Sequence, residues 1–336
     1  YKRKDCAMRK VSTKKITSIG GSALIEGIMM RGPKRTTVCV RTGENEIYSE
    51  DIKMTTIPEK CKLFKLPLLR GIAGLIDSMR LSYKSLMLSA DKAVEAGEVE
   101  EEEPSKFEKW LDEKFGDKLV KVIMVFASIL GVALAVGLFF FLPSFLFDLT
   151  ANVVPVFQGD GESAVFWKSV FEGVLKIALF LGYIVLCSQM TEMKRVFMYH
   201  GAEHKTIFCY ENEEELTVEN VRKQIRFHPR CGTSFMVLML IVGIVIGLFI
   251  PVAPFGIGFL RPVFKILLLP VSCGIGYELI KICGKHDNAF TRFIAAPGLW
   301  AQRITTKEPD DKMIEVAIEA MKAVIPDDGT DIINNK

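Results

Sequence analysis

Apolar residues along this chain follow two patterns, and the change from one to the other divides it. Four stretches are apolar for nearly their whole length, at about 119–142, 166–190, 235–252 and 260–282. A bilayer core needs ~20 residues of helix, so each is expected to span one. In the last, Arg261 and Lys265 must snorkel and Pro270 should kink the helix. The expected fold class is a mainly α membrane protein with four transmembrane helices in two hairpins, amphipathic helices, and a small N-terminal cytoplasmic β-hairpin element.

Elsewhere the pattern is periodic. Thr36–Arg41 and Ile47–Ile52 are β-branched runs flanking Thr42-Gly43-Glu44-Asn45-Glu46, a hairpin signal. Before them, Gly20–Pro33 sets four glycines and a proline among apolar residues, which predicts tight turns and close backbone approach. Leu69, Ile72, Leu75, Ile76, Met79, Tyr83, Leu86 and Met87 recur at helical spacing, predicting an amphipathic helix on the membrane surface or packed under the bundle. Ser105, with Glu108 in the capping-box position, opens another helix. After the last span, a Pro297-Gly298 turn should precede a helix from near Pro309. Met313, Val316, Ala317, Ala320 and Val324 form one face of that helix, and a frayed polar tail follows Pro326. The chain therefore divides into a basic arm (1–17), a β element (18–60), the amphipathic helix (61–90), an acidic linker (91–104), a membrane domain (105–285) with a central connection (191–234), and a C-terminal segment (286–336).

Composition supports the membrane class: 336 residues, 49% hydrophobic, mean hydropathy +0.26. A net charge of +3 gives no case for specific nucleic-acid binding. The eight cysteines, with no C-x-x-C, suit reduced thiols. The 191–233 connection holds Lys194, Arg195, Lys205, Arg222, Lys223, Arg226 and Arg230, whereas 143–165 holds Lys and Arg nowhere before the second span. By the positive-inside rule, both termini and the central connection should be cytoplasmic.

Candidate chemistry gathers on that face. Tyr199-His200-Gly201-Ala202-Glu203-His204-Lys205 contains H-x-x-E-H, whose histidines at i and i+4 share one helix face. The same letters bind zinc in inverzincin metallopeptidases, where the glutamate is the base. His228-Pro229-Arg230-Cys231 has the spacing of zinc ligands. Four ligands (His200, His204, His228, Cys231) would make a closed structural site. Three, with Glu203 free as catalytic base, would make an open one. The implied cofactor is a divalent metal, with zinc the expected ion. Glu278 and His286 are further candidate ligands, although Glu278 could instead pair with Lys281. Arg226 and Arg230 beside a helix N-terminus suit an anion such as a phosphate or lipid headgroup, or else serve only to fix orientation. Glu26, in an apolar run, is a candidate buried carboxylate paired with Arg31.

Gly20–Pro33, Tyr199–Lys205, Thr217–Val221 and Arg226–Phe235 together resemble the bacterial YqhQ-like family of integral membrane proteins, over most of the chain from Gly20 to about Ile304. The resemblance implies a multi-pass protein of the bacterial inner membrane and a metal-dependent enzyme. Two functions fit: hydrolysis of a membrane-delivered substrate, or a non-enzymatic scaffold. The scaffold would engage membrane lipids or a protein partner at the cytoplasmic face, such as translocation or ribosomal machinery.

Overall fold

The computed structural model describes residues 13–97, 122–123, 125–151, 153–158, 161–285 and 288–335. The arm before residue 13, most of the acidic linker, the helix opening at Ser105, the start of the first span and His286 lie outside them.

The strands are β1 (Lys15–Thr17), β2 (Gly20–Leu24), β3 (Gly27–Arg31), β4 (Thr36–Arg41), β5 (Ile47–Asp51) and β6 (Ile332–Asn335). β2 to β5 form an antiparallel meander, in which the expected β4–β5 hairpin pairs Arg41 with Ile47. The glycine-rich run, expected to form tight turns and close backbone approaches, also supplies two of the four strands. The tail beyond Pro326 is not frayed: β6 pairs with β1, tying the two ends of the described chain together.

Successive side chains on a strand point to opposite faces, and both faces of this meander are covered. Ile28, Met30 and Cys39 belong to one buried cluster and Leu24, Met29, Val38 and Val40 to another.

The helices are α1 (Ile57–Lys60), α2 (Leu69–Glu95), α3 (Val125–Ala151), α4 (Glu162–Cys187), α5 (Thr191–Glu211), α6 (Val218–Lys223), α7 (Gly232–Gly247), α8 (Leu260–Leu267), α9 (Leu269–Lys285), α10 (Ala289–Thr305) and α11 (Asp311–Val324). The first meander cluster closes on Tyr199, Ala202 and Ile207 of α5 and on Met313, Val316 and Ala317 of α11; the second closes on Leu81 of α2. α11 starts where an N-cap predicts, with Asp310 accepting from the Met313 amide at 2.8 Å. α2 buries Gly71, Ala73, Asp77, Leu81, Ser85, Ser89 and Ala93, while Met79 and Tyr83 are exposed on its other side. Mostly small residues, with Leu81, thus face the protein, and Met79 and Tyr83 face outward.

Of the four expected transmembrane helices, two to three have candidates among the described residues. Among the described residues, α3 and α4 are long and apolar enough to cross a membrane, and the α8–α9 pair, bent by 47°, would make a third span. The expected third span is the 16-residue α7, which stops at a turn before Pro251 and Pro254. Nor is Pro297-Gly298 a turn, because α10 runs through it. Gly298 instead allows close helix packing: a Cβ there would come within 2.6 Å of the Ser234 side chain on α7.

Candidate metal centre

α5 positions the site. From Tyr199 to Cys209 it is enclosed on nearly every side, so its polar groups must find partners inside the protein. Lys205 pairs with Glu308 at 2.6 Å and donates to the Arg222 carbonyl at 3.0 Å. Glu211 pairs with Arg230 and accepts from the Thr17 amide at 2.9 Å.

His200 and His204 lie one turn apart on this helix, with ring centroids 4.4 Å apart. The carbonyl of Thr305 lies 2.9 Å from His200 Nδ1, and that of Arg226 lies 2.6 Å from His204 Nδ1. A carbonyl can only accept, so each Nδ1 carries a proton, and Nε2 is the atom left on each ring to serve as a ligand. His200 Nε2 stands 3.1 Å from Cys231 Sγ. One nitrogen each from His200 and His204 and the Cys231 sulfur lie within 4.8 Å of one another. Donors around a tetrahedral zinc would stand roughly 3.3–3.8 Å apart, so the cluster needs to contract only slightly to hold one ion.

Cys231 is the N-cap of α7, its sulfur 3.4 Å from the Thr233 amide and 3.1 Å from Thr233 Oγ1. Burial alone would raise its pKa. The two imidazoles outweigh burial and hold the thiol well below its ordinary range, as a thiolate. His200 is raised in turn: burial opposes its charge, but the adjacent thiolate favours it. A thiolate facing two Nε2 positions is the donor set that a divalent cation would occupy in exchange for protons.

Glu203 completes the arrangement. Its Oε1 accepts from the Gly21 amide of β2 at 3.0 Å, and its Oε2 is buried without a hydrogen-bond partner. Burial raises its pKa, and the two imidazoles oppose that rise. Glu203, next to His204 in sequence, is not among the three converging donors, and its Oε2 stays without a partner.

The other candidates lie elsewhere. His228 does not join the donor cluster: its ring is 5.5 Å from that of His204, and its Nε2 is 3.2 Å from Arg230 and 3.9 Å from Glu211. Burial pushes it down to about 4, keeping it neutral. Arg226 pairs with Glu308, and Arg230 pairs with Glu211 and donates to the Thr17 carbonyl. Glu278 pairs with Arg70 and not with the cluster or Lys281. Glu26 pairs with Arg195 on α5 and not with Arg31, and the Tyr199 hydroxyl donates to it at 3.2 Å. Two supporting residues carry no motif. Thr305 contributes only a carbonyl, and the fully buried Gln302 brackets His228, accepting from its amide at 2.7 Å and donating to its carbonyl at 2.6 Å.

A family model described as "Protein of unknown function (DUF1385)" matches residues 66–327. The chain belongs to this family. It is 34% identical over 312 residues to "Uncharacterized protein YqhQ" of Bacillus subtilis (strain 168), covering 91% of this chain and 92% of that protein. The family model includes α5, Cys231 and Thr305, and hence every member of the donor cluster and its tether on α10. No solved structure matches the chain.

Proposed function

We propose that this family member is a protein of the bacterial inner membrane in which His200, His204 and Cys231 hold a divalent ion of the zinc class at the cytoplasmic face, and that it hydrolyses a membrane-delivered substrate. The observation that carries the proposal is the convergence of three donors within 4.8 Å while both Nδ1 atoms are pinned to carbonyls. The cytoplasmic assignment rests on the Lys and Arg bias of the 191–233 connection. A bound ion of this class supplies Lewis acidity that makes water a nucleophile near neutral pH. Around it, the Thr305 and Arg226 carbonyls orient the two rings, and the α7 N-terminus favours the thiolate. Glu203 Oε2 receives the proton, since Oε1 is occupied by Gly21.

A second function, a structural site in a scaffold that engages lipid or a protein partner, is favoured by one observation. His204, Glu203 and Cys231 are each less than a tenth exposed, as in closed sites that tie segments together. Glu203→Gln separates the two. A variant that binds metal and accumulates normally should fail to replace the wild type in cells that require the protein. Full replacement would rule out hydrolysis and leave the structural role.

A further inference from the structure

The apolar helices carry a second group of ionisable residues, remote from the metal centre. Lys168, Glu172 and Lys176 follow one another at i+4 on α4. Lys168 pairs with Asp148 of α3, and Lys265 of α8 pairs with Glu172. Arg261, fully buried, donates to the Pro251 carbonyl at 2.8 Å, to the Gly247 carbonyl at 3.1 Å and to Ser169 Oγ at 2.7 Å. It thereby caps the carbonyl end of α7. Three of the four cations are thus satisfied. Lys176 has no hydrogen-bonded or salt-bridged partner among the described residues, and its Nζ sits 4.6 Å from the centre of the Phe140 ring. Four cations share two carboxylates.

Lys176 and Lys265 also line a cavity of about 370 Å³, with Ser169 and the apolar Phe140, Phe180 and Met239. That volume falls in the range of small-molecule sites, and an apolar wall with a few convergent polar groups is their usual chemistry. Phe139 and Phe140 reach it from a π-helical turn, Gly137–Phe141, a local departure common at functional sites. A surplus cation inside a membrane helix is costly unless an anion answers it. We propose that this cavity binds an anionic amphiphile, its apolar chain among Phe140, Phe180 and Met239 and its carboxylate or phosphate against Lys176 and Lys265. The site is independent of the metal centre, because none of its groups is a donor there.

The test titrates the purified full chain, in a nonionic detergent, with a fluorescent long-chain fatty acid. Competition is then measured with a saturated fatty acid, with phosphatidylglycerol and with phosphatidylcholine. Binding should be saturable and displaced by the first two competitors, the stronger of them distinguishing carboxylate from phosphate, and unaffected by the zwitterionic third. Lys176→Met keeps the apolar stem and should weaken binding about tenfold, with Lys176→Arg restoring it. A Cβ at Gly243, which lines the cavity, meets nothing within 4 Å, so Gly243→Leu should fill the space and abolish binding while the protein stays folded. Absent saturable binding, equal displacement by phosphatidylcholine, or unchanged affinity in Lys176→Met would overturn the proposal.

Discussion

His200 Nε2 lies 3.1 Å from Cys231 Sγ, although 31 residues separate them in the chain. Three segments enforce the contact. α5 presents the ring, the last turn of α10 fixes it through the Thr305 carbonyl, and the start of α7 supplies the sulfur. Loosening any of these should disperse the donors before it unfolds the spans.

The Lys307 backbone beyond α10 sits directly on α5. Its amide donates to the Phe197 carbonyl at 2.8 Å, and a Cβ added at Gly201 would collide with its carbonyl. Gly201→Ala should therefore push the chain after Thr305 away from His200 and cost about 1–3 kcal/mol by overpacking. A lower thermal midpoint together with weaker metal binding is expected, and a wild-type midpoint would contradict this packing.

Gln302 holds the backbone of His228 from both sides and donates to Ser234 Oγ at 2.9 Å. Gln302→Ala leaves a buried amide and carbonyl unpaired, at a cost of about 1–3 kcal/mol. Gln302→Glu, at a pH where the carboxyl is protonated, keeps the acceptor but offers one O–H donor in place of two N–H donors, and should be intermediate. Chemical denaturation of the three proteins in detergent would show that order or refute it.

Glu211 contributes a pH dependence of known sign. Burial would raise its pKa, but His228, Arg230 and the Thr17 amide outweigh burial and hold it below its ordinary value of 4.5. A carboxylate depressed on folding stabilises above its unfolded pKa, and that stabilisation is lost as pH falls through the folded value. The thermal midpoint should therefore drop on acidification below about pH 4.5. Glu211→Gln should start lower at neutral pH, with Arg230 unpaired, and show a shallower acid limb. Parallel profiles for the two proteins would argue against this role.

Local patterns in the sequence carried much of the fold. The β4–β5 hairpin, the buried face of α11 and the i, i+4 histidines all follow from spacing over a few residues. Long-range pairing was not legible. Glu26 has its partner 169 residues away in Arg195, while Arg31 was merely near in sequence. Glycine density at 20–33 predicts tight turns and close backbone approach, and both are present: β2 and β3 meet across a two-residue turn, and a Cβ at Gly21 would lie 2.6 Å from the Met29 carbonyl. In His228-Pro229-Arg230-Cys231, spacing offered two ligands. Gln302, Arg230 and Glu211 retain His228, and only Cys231 joins the donor cluster with the α5 histidines. The charges of α4 were hidden by hydropathy, which averages a lysine away among apolar neighbours, and Arg261 and Lys265, expected to snorkel, instead turn inward to Ser169, the Gly247 carbonyl and Glu172.

The central claim is tested most directly by elemental analysis of full-length protein purified without chelators, alongside Cys231→Ala and His204→Ala variants. Three protein donors predict about one zinc-class ion per chain in the wild type and a large loss in both variants. A wild-type stoichiometry near zero, in protein shown to be folded, would contradict the metal centre and every function built on it.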